Sequence, residues 1–315
     1  MENKKIILID LGTNTAIFSV VEFLNNKLII SYEKSITTRI GQNIGCDNII
    51  SEEVLLKNIE ILRTELEKIK ASNCISSNCG ITTEAIRKAK NGTECIENIN
   101  RSLGIKLDVI TGEQEAFYTW LAVKHLVKNK KSIIGVCDIG GGSTEITIVQ
   151  DQKILFMKSF PVGVVRLEEE FHLTSDKKNL DTATNKLLDV FDFDSQKPDI
   201  LFLSGGTATS TAAIMSGIND YDPVPIDGVI IKRHELDKLF EKLFNSSTEQ
   251  LKDMLRSDPG RYDVITAGVL MIKTIMEKLK PSKTIVTTYG PRHGYIMDKQ
   301  NIKEVENIIY RLNKK

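Results

Sequence analysis

Residues 133–149 read IIGVCDIGGGSTEITIV, where three consecutive glycines stand between an aspartate and two hydroxyl side chains. Apolar residues precede the glycines and a β-branched, period-2 alternation follows them, which predicts a strand, a tight hairpin and a second strand. Walker and Rossmann loops instead lead into a helix, and the sequence contains neither of their glycine patterns. A glycine hairpin can present its backbone N–H groups to an anion, because glycine tolerates a positive φ. The stretch is therefore expected to bind phosphate.

The same unit occurs a second time, at the N-terminus. Residues 4–35 read KKIILIDLGTNTAIFSVVEFLNNKLIISYEKS, and residues 131–160 read KSIIGVCDIGGGSTEITIVQDQKILFMKSF. Each runs through an apolar strand, an Asp-x-Gly loop with hydroxyls, an alternating strand, a polar turn and a third strand. The two copies match Asp10 with Asp138 and Gly12 with Gly140, which indicates an internal duplication. Two such hairpins are expected to hold a phosphate from both sides, with the aspartates positioning magnesium or water.

Strands and helices alternate along the rest of the chain. Residues 51–72 form an amphipathic helix with Ser51 as its N-cap, and residues 258–279 form a nearly all-apolar, buried helix after a Pro-Gly breaker. Residues 301–313 are expected to form a last amphipathic helix. The pattern predicts two α/β domains with a ligand cleft between them. Their predicted bounds are 1–120 and 121–299, and a C-terminal helix, 300–315, returns to the first domain.

Composition and charge exclude several classes of protein. The chain has 315 residues with 42 Lys and Arg and 42 Asp and Glu, so no global positive field attracts nucleic acid or a membrane. No apolar run approaches the roughly 20 residues that span a bilayer. The five cysteines are odd in number and lack metal-type spacing, which predicts free cytosolic thiols. The N-terminus enters a strand without a signal-peptide pattern, so a cytoplasmic protein is expected.

With these motifs, the chain resembles the exopolyphosphatase/guanosine pentaphosphatase (Ppx/GppA) family of the actin–Hsp70–sugar kinase superfamily. The matching stretches, in the family's order, are DLGTNT (10–15), TTEAIRKAKNG (82–92), ITGEQEA (110–116), DIGGGSTE (138–145), FPVGVVRL (160–167), SGGTATS (204–210), RYDVITAG (261–268) and GPRHG (290–294). The resemblance implies two actin-like (ribonuclease H-like) domains with a duplicated β-hairpin phosphate loop and an interdomain cleft. It also implies the family's short form, without C-terminal HD-like domains, and a homodimer.

The chain departs from the family pattern at three places. Thr13 and Thr15 stand where the family usually has Ser, a change that keeps both hydroxyls. Phe117 stands where the family often has Arg, which removes one phosphate contact. The usual GLREG-like segment is GPRHG here, which leaves the roles of Arg292 and His293 open.

Hydrolysis of a phosphoanhydride needs an in-line water, a group that activates it and neutralisation of the phosphoryl oxygens. Glu115 lies at the start of a helix, where a glutamate alone would indicate only a favourable interaction with the helix dipole. The resemblance gives Glu115 the role of catalytic base. Glu145 is the second candidate, and by resemblance it holds magnesium or water together with Asp138. The predicted cofactor is Mg²⁺ or Mn²⁺, with Asp10, Asp138 and Glu145 as its ligands.

The remaining candidates bind the polyanion. Arg87 is a phosphate ligand by resemblance, and its guanidinium can bind phosphate oxygens bidentately. Residues 205–207 either bind further phosphates or close a strand–helix turn. Arg39 and Arg292 are weaker candidates, and the four histidines show no ligand-like spacing. The predicted phosphate-binding residues are Gly12, Thr13, Asn14, Thr15, Arg87, Gly140, Gly141, Gly142, Ser143, Thr144, Gly205, Gly206 and Thr207.

The resemblance implies release of terminal orthophosphate from inorganic polyphosphate, with short chains favoured. Hydrolysis of guanosine pentaphosphate uses the same phosphate-binding groups and is the first alternative. A non-catalytic sensor of alarmone or polyphosphate is the second, although such a protein is expected to have lost Glu115 or Glu145. An ATP-dependent sugar kinase is the third alternative, but GEQEA (112–116) is not a signature of those enzymes.

Overall fold

Both copies of the duplicated unit fold as three-stranded antiparallel hairpins. The computed structural model of the chain describes residues 4–42, 47–174, 177–194 and 196–312. The first copy forms β1 (Ile6–Leu11), β2 (Thr15–Leu24) and β3 (Lys27–Thr37). It is followed by α1 (Glu52–Ser72), β4 (Ser77–Thr82), α2 (Glu84–Lys88), α3 (Gly92–Leu103), β5 (Leu107–Val109) and α4 (Gly112–Val123).

Helix α1 has the N-cap and the buried apolar face that the sequence predicts. The Ser51 hydroxyl accepts a hydrogen bond from Val54 N at 3.3 Å, as an N-cap should. The predicted apolar face is buried in the core of the first sheet, namely Leu55, Ile59, Leu62, Leu66 and Ile69. The predicted helix and its cap are confirmed.

The second copy begins the next set of elements. It forms β6 (Ile134–Ile139), β7 (Thr144–Gln150) and β8 (Lys153–Phe160). The elements that follow are α5 (Val164–Phe171), α6 (Leu180–Val190), β9 (Ile200–Ser204), α7 (Gly206–Ser216), α8 (Pro223–Ile226), α9 (Arg233–Phe244), α10 (Thr248–Met254), α11 (Ile265–Leu279) and β10 (Lys283–Val286). Short 3₁₀ segments cover Lys124–Leu126, Lys177–Asn179 and Pro259–Arg261. The chain ends with α12 (Pro291–Lys299) and β11 (Asn307–Tyr310).

Two compact units divide the chain, and they repeat one sheet topology. One unit is Met1–Leu121 with Arg292–Lys315, and the other is Ala122–Pro291. Among the described residues, the first unit's sheet has the order β11-β3-β2-β1-β4-β5 and the second unit's has β10-β9-β6-β7-β8. In both, the first two strand pairs are antiparallel and the pairs with β4 or β9 are parallel. A register shift also recurs at matching positions, Val20/Val21 and Ile148/Val149, which confirms the duplication.

The expected C-terminal helix is wrong. Residues 300–315 were predicted to form it, yet the structure places α12 earlier and then strand β11, which pairs in parallel with β3. The segment NIIY is β-branched and aromatic, and it extends the sheet at the otherwise open edge of β3. The segment still returns to the first unit, but as a strand.

Each unit has its own hydrophobic core. Helix α11 lies in the second core with almost all its apolar side chains buried, as predicted. Cys74, Cys79, Cys95 and Cys137 are free thiols, and Cys46 lies outside the described residues. No helix in the described ranges is both long and apolar enough to cross a membrane.

Candidate active site

The second hairpin loop directs its backbone N–H groups away from helix α5. Gly140 N donates to Ser143 O at 3.0 Å, which closes the turn. The carbonyl oxygens of Gly140 and Gly141 accept from Val164 N and Val165 N at 3.0 and 2.9 Å. In a trans peptide the N–H points opposite to the carbonyl, so the N–H groups of Gly141 and Gly142 face the other way. No described residue accepts a hydrogen bond from them, and this arrangement suits an anion.

The first hairpin loop has the same construction. Gly12 N donates to Thr15 O at 2.9 Å, in the same relation as in the second loop. The carbonyl oxygen of Thr13 accepts from Gly41 N, and that of Asn14 accepts from Thr38 N and Arg39 N, all at 2.9 Å. Asn14 is buried, and none of the described residues pairs with its Nδ2. An acceptor brought to this amide would relieve the cost of a buried unpaired donor.

The expected reason for the glycines was wrong in part. None of Gly140, Gly141 and Gly142 has a positive φ. Close packing accounts for a neighbouring glycine instead, because a Cβ on Gly163 would lie 2.4 Å from the carbonyl carbon of Gly141. The positive φ occurs in the SGGT stretch, where Gly205 has φ 90°.

The SGGT stretch lies beside Asp138. Parallel pairing of β6 with β9 aligns Asp138 with Ser204, and Gly205 follows directly. A Cβ on Gly205 would lie 2.6 Å from Asp138 Oδ1, and one on Gly206 would lie 1.9 Å from Arg261 Nη2. Arg261 is buried, and its Nε donates to Asp258 Oδ2 at 2.7 Å. The two glycines therefore admit a carboxylate and a guanidinium to the same strand end.

Arg261 was absent from the predicted site. Its segment RYDVITAG had been used only to recognise the family, and nothing in the sequence placed its guanidinium against Gly206. Thr207, which was predicted to bind phosphate, is buried. A Cβ on Gly268 would lie 2.4 Å from the Thr207 methyl carbon. Thr144, also in the predicted set, donates its hydroxyl hydrogen to Val162 O at 2.7 Å and so ties the loop to the segment before α5.

Asp138 and Glu145 form an acidic pair. They are directly opposite each other on β6 and β7, and both are buried. Ser159 Oγ donates to Glu145 Oε1 at 2.6 Å, which fixes that carboxylate. Hard cations such as Mg²⁺ prefer carboxylate oxygens and take their remaining ligands from water and substrate phosphates. The two residues fit a site of that kind. Among the described residues, no three acidic, His or Cys side chains lie close enough together to hold a metal ion.

Glu115 and Arg87 lie together in the first unit. Glu115 is buried on the first turn of α4, and its Oε2 is 3.5 Å from Arg87 Nη1. The same Nη1 donates to Ile110 O at 2.6 Å, which anchors the guanidinium at the end of β5. Arg87 therefore holds its position beside the carboxylate, and a guanidinium has five N–H donors with which to bind further groups. The structure brings the predicted base and the predicted phosphate ligand into contact.

Arg292, whose role the sequence left open, forms a buried ion pair. Its Nη2 is 2.9 Å from Glu33 Oε2, and Ser19 Oγ also donates to that oxygen at 3.2 Å. The pair influences Asp10 at the end of β1. Burial raises the pKa of Asp10 to about 6, Arg292 opposes the shift and Glu33 adds to it. Arg292 therefore lies close enough to Asp10 to oppose the rise in its pKa, and a role for Arg292 in binding phosphate stays a prediction.

Replacing Asp10 with Asn is expected to stabilise the metal-free protein more at about pH 8 than at about pH 4. The folded-state pKa of about 6 lies above the ordinary 3.8. The protonated form is therefore favoured by folding, and its contribution is complete below pH 3.8 and lost as the pH rises through 6. At neutral pH the buried charge costs roughly 2–3 kcal/mol, which Asn removes. Melting curves in EDTA across this range measure the difference, and an equal shift in Tm at every pH would contradict the assignment.

Two buried carboxylates were missed by the sequence analysis. Glu33 lies on β3 and Glu84 at the start of α2, and both side chains are almost fully enclosed. Neither has a local sequence signal, since Glu is ordinarily a surface residue. Within TTEAIRKAKNG, the resemblance assigns a role to Arg87 and none to Glu84.

Comparisons with known proteins place the chain in one family. The model of the Ppx/GppA phosphatase family matches residues 18–302. A bifunctional 3-dehydroquinate synthase/phosphatase of Fusobacterium nucleatum is 25% identical over 92% of this chain and 46% of its own length. Exopolyphosphatase 1 of Mycobacterium tuberculosis is 25% identical over 93% of this chain and 87% of its own.

A solved structure shares the fold. The Ppx/GppA enzyme of Aquifex aeolicus superposes with a TM-score of 0.77 at 26% identity, covering 94% of this chain and 99% of that one. This similarity confirms the predicted two-domain actin-like architecture. The family model covers most of the chain, and the two glycine-containing hairpin loops, the acidic pair and the Arg87–Glu115 contact all lie in motifs on which the resemblance rests. The chain belongs to the Ppx/GppA phosphatase family and is a hydrolase.

Proposed function

We propose that the chain is an exopolyphosphatase, which releases terminal orthophosphate from inorganic polyphosphate with Glu115 activating the water. The observation that carries the proposal is the contact between Glu115 and Arg87 at 3.5 Å. A general base must lie within reach of the water it deprotonates, and that water must lie beside the phosphoryl group. An arginine fixed beside the base supplies the phosphate-binding group at the required place.

The reaction follows from the groups at the site. A water oxygen attacks the terminal phosphorus, Glu115 accepts the proton and the bridging P–O bond breaks, so that the shortened chain leaves with the bridging oxygen. In the first unit, the first hairpin loop and Arg87 would bind phosphoryl oxygens. A Mg²⁺ bound by Asp138 and Glu145 would neutralise charge on phosphoryl oxygens, and the role of Asp10 as a metal ligand stays a prediction from the sequence. The other phosphate-binding residues predicted in the two loops stay predictions.

The substrate is the part of the proposal that most needs a test. Relatives named exopolyphosphatase support polyphosphate, but they are about one-quarter identical to this chain. Guanosine pentaphosphate offers the same terminal phosphoanhydride. A phosphate-release assay with Mg²⁺ should compare tripolyphosphate, longer polyphosphates, guanosine pentaphosphate and ATP. We expect the highest kcat/KM for a polyphosphate. A preference for guanosine pentaphosphate would reassign the substrate, and no release from any of them would favour a binding protein.

Three further points stay predictions from the sequence, namely a cytoplasmic location, a homodimer and the absence of nucleic-acid and membrane partners. The sensor alternative gains no support from the site. Glu115 and Glu145 are present and buried, with Arg87 and Ser159 respectively as partners. A protein that only binds a polyanion gains nothing from a buried carboxylate near its ligand, because the carboxylate repels the ligand.

A further inference from the structure

We propose that Glu84 is a positioning residue of this site, which accepts a hydrogen bond from the Thr13 hydroxyl and so ties the first phosphate loop to helix α2. The inference rests on the proposed phosphatase function and goes beyond it by assigning a buried carboxylate that the reaction itself does not use. Glu84 acts through Thr13 and through the helix that carries Arg87, and it need not touch the substrate.

The contact between Thr13 and Glu84 is buried and polar. Thr13 Oγ1 donates to Glu84 Oε2 at 3.3 Å, and the exposed fractions of the two residues are 3% and 1%. Lys88 Nζ, one helical turn further along α2, forms an ion pair with Glu84 Oε1 at 3.1 Å. An ionised carboxylate only accepts hydrogen bonds, so the single hydroxyl hydrogen of Thr13 is directed to Glu84.

The direction of this hydrogen bond limits what Thr13 can do at the site. With its hydrogen committed, the hydroxyl oxygen has only lone pairs to present to a ligand. It can accept from a water molecule, but it cannot donate to a phosphate oxygen. Phosphate binding in this loop then depends on backbone N–H groups and on the Asn14 amide, whose Nδ2 no described residue pairs with.

The same carboxylate links the loop to the catalytic pair. Glu84 is the first residue of α2 and Arg87 lies in its last turn, next to Glu115. The link is closely packed, because a Cβ on Gly41 would lie 2.3 Å from Thr13 Cγ2 and 2.9 Å from Ala85 Cβ. A shift of about 1 Å in a positioning group can cost as much as 10²-fold in rate. Glu84 therefore fixes the distance between the phosphate loop and the arginine.

The test is a double-mutant cycle on the full chain with tripolyphosphate as the substrate. Glu84→Gln and Thr13→Val are each expected to lower kcat about tenfold, while KM changes by less than about threefold. Removing the carboxylate also removes a negative charge near the anion, so KM should not rise in Glu84→Gln. The double variant should lose no more than either single variant, because both changes break one contact.

Controls separate positioning from simple loss of structure. Thr13→Ser, which keeps the hydroxyl, should recover most of the kcat that Thr13→Val loses. Glu94→Gln makes the same substitution at an exposed position on α3 and should keep wild-type kcat and KM. Losses that multiply in the double variant, or wild-type kcat in Glu84→Gln, would overturn the role of Glu84. A wild-type protein that releases no phosphate would overturn the proposed function instead.

Discussion

Replacing Glu115 with Gln is expected to lower kcat for phosphate release by roughly 10²–10⁴-fold, the usual contribution of a general base. Gln keeps the shape of the side chain but cannot accept the proton of the attacking water. In the wild type, Arg87 Nη1 lies 3.5 Å from Glu115 Oε2. Removing that carboxylate leaves Arg87 to interact with phosphate alone. The affinity for polyphosphate should therefore hold or rise. The measurement is kcat from phosphate release beside Kd from equilibrium binding of tripolyphosphate.

Two companion variants define the control for this result. Glu113→Gln makes the same change two residues earlier on α4, at an exposed position, and should behave as wild type. Arg87→Ala should show the opposite pattern, with weaker binding that declines further at high salt and a smaller effect on kcat. If Glu115→Gln turns over at the wild-type rate, the base lies elsewhere and Glu145 becomes the leading candidate. If both site variants lose only binding, the non-catalytic interpretation gains support.

The part of the fold that could be predicted from sequence is the part set by local patterns. Hairpin loops, alternating strands and an amphipathic helix with its Ser51 cap all leave periodic or short-range signals. The duplication added a second, independent check, because two copies of one pattern had to fold alike. The matching strand orders of the two sheets, and the register shift at Val20/Val21 and Ile148/Val149, are the structural form of that repeat.

The C-terminal strand shows where such patterns fail. Residues 301–313 have apolar positions that fit a helix, yet Asn307–Tyr310 pairs with β3, which lies far away in the sequence. Only the three-dimensional sheet reveals that β3 has an open edge beside this segment. Pairing with a distant strand outweighs a weak local propensity for helix.

Some residues of the candidate site could be identified from sequence motifs, and others could not. The glycine loops and Glu115 stood in motifs, so they could be identified from the sequence and its resemblance to the family. Arg261, Glu33 and Glu84 could not be identified in this way. Each matters because it is buried beside a particular partner, and the burial of a charged residue leaves no local signal in the sequence. The sequence left Arg292 without a role. Its ion pair with Glu33 and its proximity to Asp10 arise only in the folded chain.

Replacing Asp138 with Asn is expected to lower kcat by about 10³-fold, because a catalytic metal ion is worth several kcal/mol of transition-state stabilisation. Asp138 faces Glu145 across β6 and β7, and it lies beside Gly205 at the end of β9. Asn keeps the shape but has one neutral oxygen where the carboxylate has two charged ones, so a divalent cation loses a preferred ligand. Calorimetric binding of Mn²⁺ to the variant and to the wild type provides a measurement that does not depend on turnover. Exhaustive EDTA treatment of the wild type should remove activity, and added Mg²⁺ should restore it.

The control for Asp138 is Asp189→Asn, the same substitution at an exposed position on α6, which should bind Mn²⁺ and turn over as the wild type does. Glu145→Gln provides a second test of the pair. Both carboxylates are buried on neighbouring strands, so either change should weaken the binding of Mn²⁺, and the double change should abolish it. Loss of turnover in Asp138→Asn with unchanged binding of Mn²⁺ would mean that Asp138 positions water instead. Full activity of the wild type in EDTA would remove the metal from the reaction, and arginine side chains and backbone N–H groups would then have to neutralise the phosphoryl oxygens.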